Sequence, residues 1–108
     1  MDNIPTLIKL VNQVFDLEKK IISKQENNSF TRNFDRIRES FKELSIMFHN
    51  PIGEVYNETR TDCEATIAGD FAEKLIITEV IKPIIYIRLS EGEKHLVQRG
   101  VVIVEKVK

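Results

Sequence analysis

The sequence has one cysteine, Cys63, and no tryptophan. A single thiol cannot close an internal disulfide, so a disulfide-stapled scaffold is excluded and a reducing compartment is the natural setting. With only two tyrosines beside the missing tryptophan, there are few platforms on which single-stranded bases could stack. The four glycines are scattered at Gly53, Gly69, Gly92 and Gly100, and no phosphate-cradling loop is built from them. No apolar run approaches the roughly 20 residues that span a bilayer. The N-terminus lacks the charged-then-apolar pattern of a secretory signal, so a soluble, cytoplasmic protein is expected. An excess of one charge is missing too. Lys and Arg number 16 against 17 Asp and Glu, and from Cys63 onward the two signs are equal at seven each. Phosphate-backbone binding depends on clustered cations, so nucleic acid is disfavoured as a partner.

Catalytic and metal chemistry have equally little to work with. His49 and His95 are far apart, and neither sits at a metal-ligand spacing. A capping or surface role is the ordinary one for His49 at the end of a helical stretch. Cys63 has no glycine elbow and no second cysteine beside it, which is the setting of an inert thiol. The sequence therefore reads as a non-enzyme that needs no metal or cofactor.

What the chain does have is a β-rich C-terminal third. Residues 75–81, 84–89 and 101–107 are three runs dominated by β-branched side chains. Pro83 separates the first two, because it cannot donate to a ladder. Ser90-Glu91-Gly92-Glu93 is a hairpin connection in composition, and Gly100 opens the last run. Ile85, Ile87 and Leu89 alternate with Ile84, Tyr86 and Arg88. The last run is apolar on both sides, which predicts a central strand or a small curled sheet.

Upstream, residues 4–24 carry a helical stripe of Ile4, Leu7, Val11, Val14 and Ile21, broken by Glu18. A second helix, capped by Ser29 or Thr31, carries Phe30, Phe34, Ile37, Phe41, Leu44 and Phe48 in steps of four and three and stops at Asn50-Pro51-Ile52-Gly53. Phe34, Ile37, Phe41, Leu44 and Phe48 are expected to pack against the first helix or against a second copy. Between the helices and the β-rich third, Val55-Tyr56 and residues 65–68 read as short edge strands. The expected fold is α+β: two N-terminal amphipathic helices, then a small antiparallel β-barrel or curled sheet. Residues 1–49 form the helical part and 50–108 the β-domain.

Polar residues that frame the strands are the candidates for partner binding. Tyr86 and Arg88 alternate with apolar neighbours, and Lys82 precedes the Pro83 break. Lys94, His95, Gln98 and Arg99 lie between the hairpin turn and the last run. Arginine and tyrosine are enriched at binding hot spots because they join large contact area to directional hydrogen bonds. Arg60, Asp62 and Glu64 form a charged group that reads as solvated surface or as a binding edge.

The order of these elements resembles the GrpE family over about residues 30–107. Glu79-Val80-Ile81, Tyr86, Glu93-Lys94 and Val101-Val102-Ile103-Val104-Glu105-Lys106 correspond to that family's strand and turn motifs. Tyr56-Asn57 and Glu64-Ala65 match more loosely. Pro83-Ile84-Ile85-Tyr86 stands where the family has glycine–tyrosine, and Gln98-Arg99 where it has arginine–proline. Of the family's long N-terminal coiled coil, only residues 4–24 correspond. The resemblance implies a nucleotide exchange factor for a DnaK-type chaperone. Its β-domain would wedge against the nucleotide-binding domain while its helices form a homodimer. The alternatives are a protein-interaction module using the same β-surface and a small-barrel nucleic-acid binder.

Overall fold

The computed structural model describes residues 3–23, 30–89 and 92–107. Its helices are α1 (Ile4–Ser23) and α2 (Thr31–Glu43). Its strands are β1 (Ile46–His49), β2 (Val55–Tyr56), β3 (Cys63–Ile67), β4 (Leu75–Lys82), β5 (Ile84–Arg88), β6 (Lys94–Gln98) and β7 (Gly100–Lys106). The fold is α+β, with two sheets, one of them a curled half-barrel. The strand orders are β1-β5-β6 and β2-β4-β7-β3. The described residues divide into two compact units. One lies within Met1–Met47 and Ile87–His95, the other within Phe48–Tyr86 and Leu96–Lys108.

In the first unit, α1 buries Val11 and Phe15, and α2 buries Phe34 and Phe41. Glu18, the polar break in the first stripe, reaches Arg38 of α2 at 2.5 Å, and its side chain is only 18% exposed. An acidic residue at a stripe position is thus answered by a cation on the other helix. Lys19 also places its ammonium 5.5 Å from the Phe15 ring centroid, a cation–π distance. An open apolar groove of about 520 Å³ is lined by Leu10 and Val14 of α1, Ile37 and Phe41 of α2, and Leu44.

The second helix departs from expectation at both ends. Its N-cap position is Phe30, which offers no side-chain cap, and Thr31 is already helical. Ser29 lies outside the described residues. The helix stops at Glu43 rather than near Asn50. The Leu44 N–H is shared between the Ser40 and Phe41 carbonyls at 3.2 and 2.9 Å, and the Ser45 N–H donates to Lys42 O at 2.9 Å. Ser45 then turns through φ 64, a left-handed conformation that ends a helix. As a result Leu44 is 57% exposed, and Phe48 lies half-buried in β1 rather than on a helix.

The four-stranded sheet is built on the antiparallel pair β4–β7. Ile77 faces Val104 and Val80 faces Val102, all four buried. Strand β4 carries two register shifts, between Ile77 and Glu79 and between Val80 and Lys82. An extra residue bends a strand and raises its twist. The shifts also change the side-chain phase, so Leu75, Ile77 and Val80 point inward while Thr78 and Glu79 are both exposed. The Thr78 hydroxyl donates to Glu105 Oε2 on β7 at 2.8 Å. Strands β2 and β3 are the two edges. The sheet is mixed, because β3 runs parallel to β7.

Candidate functional site

Polar side chains of the second unit gather where β3 and β7 begin. The chain enters β3 through a turn in which Asn57 Oδ1 accepts the Thr59 N–H at 3.0 Å and Asn57 O accepts the Arg60 N–H at 3.0 Å. This side-chain turn is the local reason asparagine suits the position. It delivers the Arg60 guanidinium into a three-way clamp. Nε donates to Asp62 Oδ1 at 2.6 Å, Nη2 to Glu54 Oε1 at 2.7 Å, and Nη1 to Val55 O at 3.1 Å. The other Glu54 oxygen hydrogen-bonds His49 Nε2. Arg60 thereby ties β2 to the entry of β3.

The charges tune one another. The Arg60 hydrogen bond holds Asp62 below the usual carboxylate range, against an opposing push from burial. Burial pushes Glu54 upward, but hydrogen bonds from Arg60 and His49 outweigh it and leave the carboxyl below its ordinary value. Both native values lie below the unfolded ones. Their stabilising contribution is therefore present above the ordinary values of 4.5 for Glu54 and 3.8 for Asp62, and is lost as pH falls through the native ones. Replacing Arg60 with Met should flatten this dependence. Urea midpoints measured from pH 7 to pH 3 should fall less for Arg60→Met than for the wild type; equal slopes would dismiss the clamp.

Next to the clamp, Cys63 is wholly buried. Burial, with the neighbouring Asp62 carboxylate, pushes its thiol up to about 11, although Arg60 acts in the opposite direction. A neutral, inaccessible thiol is a poor nucleophile. The native protein at pH 8 should leave an aromatic disulfide reagent untouched for hours, while the denatured chain consumes one equivalent. Rapid native-state labelling would contradict the burial. Tyr86 is half-buried on β5, and its hydroxyl is raised by burial and then by the Asp62 charge.

The seven candidate binding residues fall in both units. In the second, Gln98 is half-buried and its amide donates to Pro83 O at 2.9 Å. Arg99 donates to Cys63 O at 2.7 Å and to Glu64 at 3.2 Å. Lys82 is exposed at the end of β4, and its carbonyl lies against Gly100. Thus Lys82, Gln98 and Arg99 surround one joint, with Tyr86 and the clamp nearby. Arg88, Lys94 and His95 belong to the unit that holds the helices. All three are exposed, and the Arg88 guanidinium lies 3.9 Å from Met47 Sδ. The expected grouping of Arg60 and Asp62 with Glu64 changes membership. Glu64 turns to Arg99, and Glu54 takes its place. Only the fold brings Glu54 there, and no pattern in the sequence marks it.

Among the described residues, no group of three His, Cys, Asp or Glu is placed to hold a metal ion. No described helix is long and apolar enough to cross a membrane. Compared with known proteins, the chain matches no family model, no curated protein and no solved structure.

Proposed function

We propose that the chain is a non-enzymatic, cytoplasmic protein-binding module of GrpE type that promotes nucleotide exchange on a DnaK-type chaperone. One observation carries this reading. The two segments richest in the resemblance, Glu79-Val80-Ile81 and Val101–Lys106, are about 20 residues apart, yet they pair as the two central strands of one sheet, with Glu79 opposite Ile103 and Val80 opposite Val102. Supporting side chains surround the joint beside them. Arg99 is held by Cys63 O and Glu64, Gln98 by Pro83 O, and Lys82 is exposed. Pre-positioned arginine and amide groups lose little entropy on meeting a partner. Exchange then follows if this surface binds the open, ADP-releasing state of the chaperone better than the closed one.

Release of a fluorescent ADP analogue from the host's DnaK-type chaperone should accelerate on addition of micromolar protein. The double variant Lys82→Ala/Arg99→Ala should lose most of the acceleration while keeping its far-UV circular dichroism. No acceleration by folded wild-type protein would end the exchange-factor reading. Ile52 and Val55, each about half exposed beside and on β2, favour a second reading in which another protein docks on the same unit. An ATP-insensitive partner in a pull-down would select it.

A further inference from the structure

The first unit leaves its apolar groove open. Leu10 and Val14 of α1 form one wall, and Ile37, Phe41 and Leu44 form the other. Leu10 and Leu44 are each at least half exposed. Val14 also lines a second hollow on α1, which it shares with Leu17, and Leu17 is 52% exposed. The apolar path along α1 thus runs from Leu10 to Leu17, about 10 Å of helix. The other wall runs from Asn33 to Leu44, about 16 Å along its axis. A trough of that length suits the apolar stripe of another helix better than a compact small molecule.

The polar border of the groove is one-sided. Asn33, Arg36 and Ser40 follow one another at three- and four-residue steps, so they share one edge of α2. Arg36 is the one charged residue in the lining, and no carboxylate lies there. Arg38 and Lys42 of the same helix each reach a carboxylate, Arg38 that of Glu18 and Lys42 that of Glu39. Arg36 is exposed, and among the described residues no acidic side chain pairs with it. The α1 side is neutral by comparison, since its hollow is flanked by Asp16 and Lys20, one of each sign.

We propose that this groove docks an amphipathic helix of another protein, one with acidic residues along the border of its apolar stripe that meets Arg36. The stripe covers the two leucine-bearing walls, and a carboxylate on its border gives the guanidinium a partner. The Asn33 amide and the Ser40 hydroxyl can donate to the same border. A second copy of this chain is a poorer occupant. Its own groove carries no carboxylate, so pairing groove to groove would cover the apolar walls and leave Arg36 unanswered. The groove belongs to the unit that holds the helices, and the proposal does not depend on the exchange-factor reading.

Fluorescence anisotropy of two labelled synthetic peptides, titrated with the full chain, tests it. Both peptides carry leucines in a helical stripe; one has glutamates along one border of the stripe and the other has lysines there. The glutamate peptide should bind saturably at micromolar protein, and the lysine peptide about fivefold more weakly. Arg36→Glu should reverse that order. Leu10→Lys should abolish binding of both peptides while the far-UV circular dichroism stays unchanged. Leu44→Lys, beyond the helix end, should do the same if the first leucine variant fails to fold. No saturable binding, equal affinity for the two peptides, or binding unmoved by Arg36→Glu and by both leucine variants would overturn the proposal. So would a wild-type dimer in sedimentation equilibrium that Leu10→Lys converts to monomer, because a second copy would then fill the groove.

Discussion

Phe41→Ala should lower the unfolding free energy by about 3–5 kcal/mol. Phe41 is 4% exposed on α2, in a unit whose other buried helix residues are Val11, Phe15 and Phe34. Truncating the ring removes its apolar area and leaves a void that rigid helical backbones close only partly. Leu44→Ala is the control. Leu44 continues the same stripe but is 57% exposed beyond the helix end, so its loss should be within about 0.5 kcal/mol. Chemical denaturation of the two variants separates the cases. Equal losses would mean that the stripe is not buried as described, and a Phe41→Ala loss under about 1 kcal/mol would remove it from the core.

Gly100→Ala should cost about 1–3 kcal/mol, and Gly100→Val more. A Cβ at this position would stand 2.9 Å from Ile84 Cγ1, 3.3 Å from Cys63 Sγ and 3.5 Å from Lys82 O. The Ile84 and Cys63 side chains are wholly buried, so neither has room to yield. The glycine is there for close approach and not for backbone freedom. Combining the change with Ile84→Ala should make Gly100→Ala cheaper by at least about 1 kcal/mol, because the contacting atom is gone. Strict additivity would place the strain elsewhere. The same variant bears on function, since Gln98, Arg99 and Lys82 all flank this joint.

Much of the architecture was legible because periodicity reports burial directly. Pro83 separates β4 from β5, Gly100 opens β7, and Val55-Tyr56 is an edge strand, as is Cys63–Ile67, which begins two residues before the expected 65–68. The failure at β1 has a physical cause. Leu44 and Phe48 continue the four-and-three stepping by coincidence, which hides a helix end made by Ser45 adopting a left-handed φ of 64. Serine is an uncommon residue there, and nothing in the stripe marks it. The β-favouring Ile46-Met47-Phe48 was the available counter-signal. At the candidate site, Arg60 and Asp62 were visible as a charged group. Their partner Glu54 was not, because strand pairing places it and sequence distance does not. The parallel run of β3 beside β7 was equally hidden, since the same alternation serves either direction.

The two register shifts in β4 bear on how the sequence tolerates change. In a regular strand, losing one residue would swing every later side chain to the opposite face. Here Thr78 is surplus to the pairing: it lies between Ile77, which faces Val104, and Glu79, which faces Ile103. Remove it and Ile77 and Val80 still fall on the inner face, with Glu79 outside between them. A single-residue deletion that would ruin an ordinary strand is therefore silent for the core at this point. What disappears is the kink and the hydroxyl bond to Glu105. Curvature and core composition are thus encoded separately in this strand, and selection can alter the first without disturbing the second.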